Sequence, residues 1–333
     1  MYFTKPLAVR LALWAKEHGG PLEQSYRNTF HCNALLSQQD GTMRGTYCGN
    51  RWCLTCARIR SALAINKYLP VLESWGDRWF VTLTLRNVPE AELAATLDTM
   101  QRGVLNVCRS IKRTDKLRVV ALRKLEITYN ERTAEYHPHY HLVVQGQASA
   151  RRMVQRWLEM FPERTDPRAQ DVRPAHDAGT LLELFKYFTK LVSKRRMIPT
   201  HALDAIFRVF RGRRAFQPVG FILPKDADPE GELAPDVGTP AVSRPSESIA
   251  WQWRQSATDW VDDETGECLT GYDPSDSFRR LVEQPLTTTP EPSPALMGRG
   301  RQPSARTAPP ATMPEHTRRL LYANAQATVP RRE

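Results

Sequence analysis

An α+β domain, a central antiparallel sheet with packed helices, is predicted by three features of this 333-residue chain. Residues 78–85 (RWFVTLTL) are rich in β-branched and aromatic side chains and run into Asn87 and Pro89, a strand followed by its stop signal. Two more strand-like runs, 117–129 and 136–144, are joined by a polar link containing Asn130, Glu131 and Arg132, the pattern of an antiparallel hairpin. Helical spacing of apolar residues flanks these strands, and strands with helices on one or both faces define the class.

The elements follow in order. Residues 1–68 open with Leu7, Val9, Leu11, Leu13 and Trp14 at amphipathic spacing and then carry a cysteine cluster. After the 78–85 strand, residues 89–112 set Leu93, Leu97, Met100, Val104, Leu105 and Val107 at helical intervals. Residues 150–161 read as helix and 171–173 as a short strand. A helix is predicted over 179–194, with Leu181, Leu182, Leu184, Phe185, Phe188 and Leu191 as its apolar positions. From residue 225 onward Pro, Ser, Thr and Ala dominate, with more than half of the chain's 25 prolines. Such a composition buries too little apolar surface to offset chain entropy, so the tail is expected to be largely disordered. One exception is expected in 246–261, where Ile249, Trp251, Trp253 and Trp260 could dock as a short helix or bind a partner. The predicted organisation is a small Cys-rich module over 1–70, the α+β domain over 75–224 and a Pro-rich tail over 225–333.

The net charge of +11 is unevenly placed: residues 1–225 carry 36 Lys and Arg against 19 Asp and Glu, near +17, and residues 226–333 carry 11 against 17, near −6. A basic body of this kind attracts polyanions through phosphate contacts and counterion release, so nucleic acid is the leading partner. Ribosomal, membrane-surface and heparin-type binders share that charge. No apolar run is long enough to span a bilayer and no secretion signal is evident, so a cytoplasmic protein without a membrane partner is expected.

Chemistry concentrates in three places. In His137-Pro138-His139-Tyr140-His141, residues two apart share a strand face, so His139 and His141 can converge on one ion, while Pro138 leaves His137 at the strand's entrance as a less central ligand. Glu126 on the facing strand supplies a carboxylate, and two imidazoles with one acid can hold Mg²⁺ or Mn²⁺ against a phosphate. The plain alternative is three polar residues on a strand. In the predicted 179–194 helix, Glu183, Tyr187 and Lys190 are spaced four and three apart and share one face. A phenol is a weak nucleophile at neutral pH unless a cation favours its ionised form, a role open to Lys190, and Glu183 could act as a general base. A solvated polar face explains the same spacing.

Cys32, Cys48, Cys53 and Cys56, with a Cys-x-x-Cys knuckle, suit tetrahedral ligation of Zn²⁺, against the alternative of four reduced thiols. Lys194, Arg195, Arg196, Arg208, Arg211, Arg213 and Arg214, interleaved with Phe207, Phe210 and Phe216, could contact DNA through phosphates and stacking. A solvated basic helix covering the core explains that run equally well.

Taken in order, the Thr-rich strand FVTLTL, the strand LEITYN, HPHYH and then Glu-x-x-x-Tyr-x-x-Lys resemble the HUH endonucleases. The likeness covers residues 30–195 and is strongest to replication initiators of rolling-circle plasmids with a single catalytic tyrosine. The resemblance implies the HUH fold, with the histidines on a middle strand and the tyrosine helix against it. It also implies site-specific nicking of one strand of a plasmid origin, at a single-stranded or hairpin site, leaving a 5′-phosphotyrosine and a free 3′-hydroxyl primer that is later rejoined. His139, His141 and Glu126 then hold the metal, Tyr187 is the nucleophile, Glu183 activates water and Lys190 steadies the phosphate or the tyrosine, with host helicase and polymerase as further partners. A relaxase or single-strand transposase with the same chemistry, and a non-catalytic zinc-bearing DNA-binding protein, are the competing readings.

Overall fold

A computed structural model describes residues 3–39, 42–185, 192–193, 196–221, 249–262, 264–271, 273, 275, 276 and 279. Two helices open the chain, α1 (Thr4–Glu17) and α2 (Glu23–His31), followed by the hairpin β1 (Leu35–Gln39) and β2 (Thr42–Gly45) and the long helix α3 (Leu54–Glu73). Next come β3 (Arg78–Thr84), α4 (Glu90–Thr114), β4 (Ala121–Asn130), β5 (Glu135–Gln145), α5 (Gln147–Met160) and β6 (Asp171–Pro174). The short helix α6 (Ala178–Leu184) precedes the ribbon β7 (Val192–Ser193) and β8 (Arg196–Met197), then α7 (Thr200–Phe210) and β9 (Phe216–Val219). A last hairpin is β10 (Ile249–Arg254) and β11 (Asp259–Asp262).

The central sheet has the order β6-β3-β5-β4-β9, and every neighbouring pair is antiparallel. Period-two alternation sends its residues to two faces. One face carries Val81, Leu83, Leu125, Ile127, Tyr140, Leu142 and Val144 into a core shared with α4, α5 and α7. Helix α4 suits this place: Leu93, Leu97, Met100, Val104, Val107 and Ile111 form one buried stripe, Glu90 and Glu92 occupy its first turn, and Lys112 and Arg113 its last, matching the helix dipole. The opposite face begins with Phe80, Leu122 and Val143, packed against Tyr68 and Leu72 of α3 and Leu181, Leu184 and Phe185 at α6. Farther along, that second face turns polar, and the candidate site lies there.

Residues 1–70, read above as a module, contribute Phe3, Leu7, Leu11, Leu22 and Tyr26 to the same core as Val81 and Leu83. The Tyr26 hydroxyl donates to Asp204 of α7 at 2.7 Å, a buried tie between the two segments. No helix among the described residues is long and apolar enough to cross a membrane.

Three sequence expectations are corrected. The helix predicted over 179–194 ends at Leu184 among the described residues, and Val192–Ser193 is already strand, paired with Arg196–Met197. The apolar pattern gives way there to Lys194-Arg195-Arg196, which no buried helical face can absorb, and β-branched Val192 favours extended backbone. The short helix expected within 246–261 is instead the β10–β11 hairpin, which extends the small sheet in the order β11-β10-β1-β2. Its cause is a cross-strand aromatic pair: Trp253 faces Trp260 with ring centroids 4.9 Å apart. Most of the remaining tail, for which disorder is expected, lies outside the described residues. Finally, the strand read over 136–144 is present as β5, but Pro138 does not limit its start: the strand runs through Pro138 from Glu135. The Pro138 carbonyl faces Thr84, the last residue of β3, so the missing N–H lies where the neighbouring strand has ended.

Candidate functional site

Register brings the polar residues together. His139 of β5 lies opposite Thr84 of β3 on one side and Glu126 of β4 on the other, and His141 lies opposite Thr82 and Lys124. All of them share the second sheet face, because each is an even number of residues from Phe80, Leu122 or Val143 along its own strand. Glu126 is thus the direct neighbour of His139 and the diagonal neighbour of His141. Its Oε1 is 3.8 Å from His139 Nε2 and its Oε2 is 3.7 Å from His141 Nε2. The three side chains offer ligand atoms within 4.8 Å of one another, so the group could hold a metal ion.

Hydrogen bonds behind the rings aim them. His139 Nδ1 donates to the His137 carbonyl oxygen at 3.2 Å, so the neutral ring keeps its lone pair on Nε2, toward Glu126. His141 Nδ1 lies 3.2 Å from the Thr82 hydroxyl, which turns its Nε2 toward the same carboxylate. Burial, with help from His141, lowers the pKa of His139 to about 3, so this ring is neutral and able to ligate through the physiological range.

Lys124 escaped the sequence reading. Only 1% exposed, it sets its ammonium 3.2 Å from Glu126 Oε2. The available signal was period two: Lys124 and Glu126 must share a face if LEITYN is a strand. Gln170 also went unread; it accepts from the Thr84 backbone N–H at 2.9 Å and fixes the end of β3 beside the histidines.

His137, expected as an additional ligand, is not brought into the cluster. Its Nδ1 donates to Asn87 Oδ1 at 2.8 Å and its Nε2 meets the Thr84 hydroxyl at 3.0 Å, so both nitrogens are engaged by protein groups. Its place is behind the site, supporting His139 through its carbonyl. Tyr187 and Lys190 lie outside the described residues, as does the side chain of Glu183, whose backbone belongs to α6.

The cysteines converge as their spacing predicts. Cys32 closes α2, Cys53 caps α3 and Cys56 lies in its first turn, while Cys48 comes from the intervening loop. The four sulfurs lie within 4.8 Å of one another, and all four cysteines are free thiols, so this group too could hold a metal. Cys32 Sγ and Cys48 Sγ are 3.6 and 3.7 Å from Cys56 Sγ, and the Cys48 backbone N–H donates to Cys32 Sγ at 3.4 Å. Thiol hydrogen bonds from Cys32, Cys53 and Cys56 push the Cys48 pKa down, those with Cys48 and Cys53 push Cys32 up, and those with Cys32, Cys48 and Cys53 push Cys56 up.

The basic run divides. Arg208 is clamped by Glu90 at 2.6 Å and Asp204 at 2.8 Å, and Arg213 by Asp98 at 2.7 Å, whereas Arg211 and Arg214 are exposed. The structure corrects the stacking role expected for Phe207 and Phe210: both are core residues of amphipathic α7, buried with Leu203 and Ile206. Lys194 and Arg195 lie outside the described residues, as does the side chain of Arg196.

These features define an α+β protein with two metal-capable clusters, one buried in sulfur and one half-open on a sheet. Residues 41–236, more than half of the chain, match the family described as replication protein, and the chain belongs to that family. Among curated proteins it is similar to "Protein rep" of Streptococcus pneumoniae serotype 2 (strain D39 / NCTC 7466), 28% identical over 124 residues, which are 34% of this chain and 38% of that one. It is also similar to "Protein rep" of Staphylococcus aureus, 28% identical over 185 residues (48% of this chain, 79% of the other). A third, from Bacillus sp, is 35% identical over 106 residues (29% and 33%). The alignment thus spans well under half the length of the first and third of these relatives. No solved structure matches the chain.

Proposed function

We propose that this protein is a plasmid rolling-circle replication initiator that nicks one strand of origin DNA through Tyr187. The observation that carries this reading is the Glu126–His139–His141 cluster, whose donor atoms lie within 4.8 Å of one another on the sheet face against which α6 packs. Leu184 and Phe185 end the described part of that segment in a cluster with Phe80, whose ring centroid is 5.4 Å from that of His141. Tyr187 follows two residues later, a span of at most about 7 Å of extended chain.

Two imidazoles and a carboxylate suit a divalent ion such as Mg²⁺ or Mn²⁺, which would polarise a phosphate held there. The phenolic oxygen of Tyr187 attacks phosphorus, the bond to the 3′ oxygen breaks and that oxygen takes up a proton. The products are a 5′-phosphotyrosine and a 3′-hydroxyl from which a host polymerase can extend, behind a host helicase. Lys190 favours the ionised phenol, and Glu183 receives a proton from the hydroxyl or water that later resolves the phosphotyrosine.

The cysteine cluster is read as a structural Zn²⁺ site. Zinc–sulfur bonds of about 2.3 Å in a tetrahedron require sulfurs about 3.8 Å apart. The 3.6 and 3.7 Å separations are close to that value and far from the roughly 2.0 Å of a disulfide. DNA is the partner that the basic body favours, with Lys194, Arg195, Arg196, Arg211 and Arg214 as phosphate contacts, and Arg208 and Arg213 serving mainly to hold α7 and its loop.

The test is incubation with labelled single-stranded oligonucleotides from the flanking replicon and Mn²⁺, followed by a denaturing gel. A covalent adduct is expected, absent in Tyr187→Phe. His139→Ala should bind DNA but not cut it. An adduct that survives in Tyr187→Phe overturns the assignment of the nucleophile. Site-specific binding without any cutting favours instead a non-catalytic DNA-binding protein.

A further inference from the structure

Arg123 and Lys124 are consecutive in β4, both buried and both cationic, and strand alternation sends them to opposite faces of the sheet. Lys124 meets Glu126. Arg123 has no such partner. It is 5% exposed, its Nη2 donates to Gln217 Oε1, its guanidinium lies 4.8 Å from the centroid of the Tyr140 ring, and its Nη1 is buried without a hydrogen-bond partner. Among the described residues no carboxylate forms an ion pair with it.

A guanidinium cannot shed its proton to escape burial, as a lysine or histidine can, so its charge persists and calls for an anion. Beside it is a cavity of about 520 Å³, lined by Arg123 and Gln101, Tyr140 and Gln217 together with Arg211 and Arg214 from the loop after α7. Arg211 and Arg214, in its wall, are themselves at least partly exposed. Arg213, also in the wall, is already neutralised by Asp98 at 2.7 Å.

We propose that this cavity takes a phosphate group of a nucleotide, on the face of the sheet opposite the histidine cluster. Arginine presents a planar fork of donors that matches phosphate oxygens, and Arg123 has one arm of that fork anchored to Gln217 and the other unused. The volume exceeds what an inorganic ion fills and falls in the range of small-molecule sites, leaving room for a sugar or base beside the amides of Gln101 and Gln217. The proposal does not depend on the nicking chemistry, because the two sites are divided by the sheet itself.

Binding is measured by calorimetry at fixed ionic strength, without added Mg²⁺ or Mn²⁺, using inorganic phosphate, a deoxynucleoside 5′-monophosphate and a short single-stranded oligonucleotide. Arg123→Gln and Arg211→Ala should each weaken binding at least tenfold. Arg113→Ala, at the far end of α4 and about 18 Å along its axis from Gln101, should change it less than twofold. Weakening seen for the mononucleotide assigns the site to free nucleotides, and weakening confined to the oligonucleotide assigns it to a phosphate of the strand. Should Arg123→Gln fail to fold, exposed Arg211 still gives the answer. The proposal is overturned if the wild type binds none of the probes, if both variants bind as the wild type does, or if Arg113→Ala loses as much as they do. His139→Ala should retain this binding even if it is inert in cutting, so the two proposals fail separately.

Discussion

Lys124 holds its ammonium 3.2 Å from the carboxylate of Glu126, two residues along the same strand, with both side chains almost wholly withdrawn from water. This pair sets a cation against the carboxylate that faces both histidines, and it makes Lys124 a part of the site that no cysteine or histidine pattern reveals.

Removing one half of a buried ion pair strands the other. Lys124→Met should therefore lower stability by about 3 kcal/mol, and the double variant Lys124→Met/Glu126→Leu should recover most of that loss. Urea denaturation of the four proteins of the cycle measures the coupling. Additive effects would mean that the two charges do not share their burial cost.

The low pKa of His139 makes stability depend on acid. Its folded value of about 3 lies below the unfolded value near 6.5, so unfolding takes up a proton between these limits. Stability should be full above pH 6.5 and fall on acidification toward pH 3, at a slope of about 1.4 kcal/mol per pH unit for this one group. His139→Asn should flatten that slope when denaturation is followed from pH 7 to pH 4 without added divalent ions. An unchanged slope would assign the proton to another residue.

Thr82 lies behind His141. Its hydroxyl, 3.2 Å from His141 Nδ1, fixes the ring's orientation, and losing such support typically costs a metal site roughly 10- to 100-fold in affinity. Thr82→Val should weaken Mn²⁺ binding by an amount in that range in a calorimetric titration, with the fold intact by circular dichroism.

Trp260 links the late hairpin to the cysteines: its indole Nε1 donates to the carbonyl oxygen of Asn33, next to Cys32, at 2.9 Å. Trp260→Phe removes that bond, worth about 1 kcal/mol, and should speed zinc release to a chromogenic chelator. If the proposed zinc site is correct, wild type should carry one equivalent of zinc per chain and Cys56→Ser nearly none. Equal release rates in Trp260→Phe and wild type would separate the hairpin from the metal site.

Local pattern made much of this legible. HPHYH fixed His139 and His141 on one face because period two allows nothing else in a strand, and the Cys48, Cys53 and Cys56 spacing matched a knuckle at a helix start. The stripe of α4 was equally plain. The same local logic failed where a neighbour decided the outcome. The 179–194 run keeps helical spacing of apolar residues to Leu191, past Leu184 where the described helix ends, and the tryptophans of 246–261 lie on strands, the first of them paired with β1. His137 sits in the same alternation as His139 and His141, yet Asn87 and Thr84 claim its nitrogens.

By itself the sequence determined which residues could meet a metal, since side-chain chemistry and strand period are local properties. Only the tertiary structure decided which of them do meet: the pairing of Glu126 with His139, the burial of Lys124 beneath them and the isolation of Arg123 on the reverse face follow from register between strands. Register is set by the packing of a whole face at once, and a one-residue slip would have exchanged the two faces.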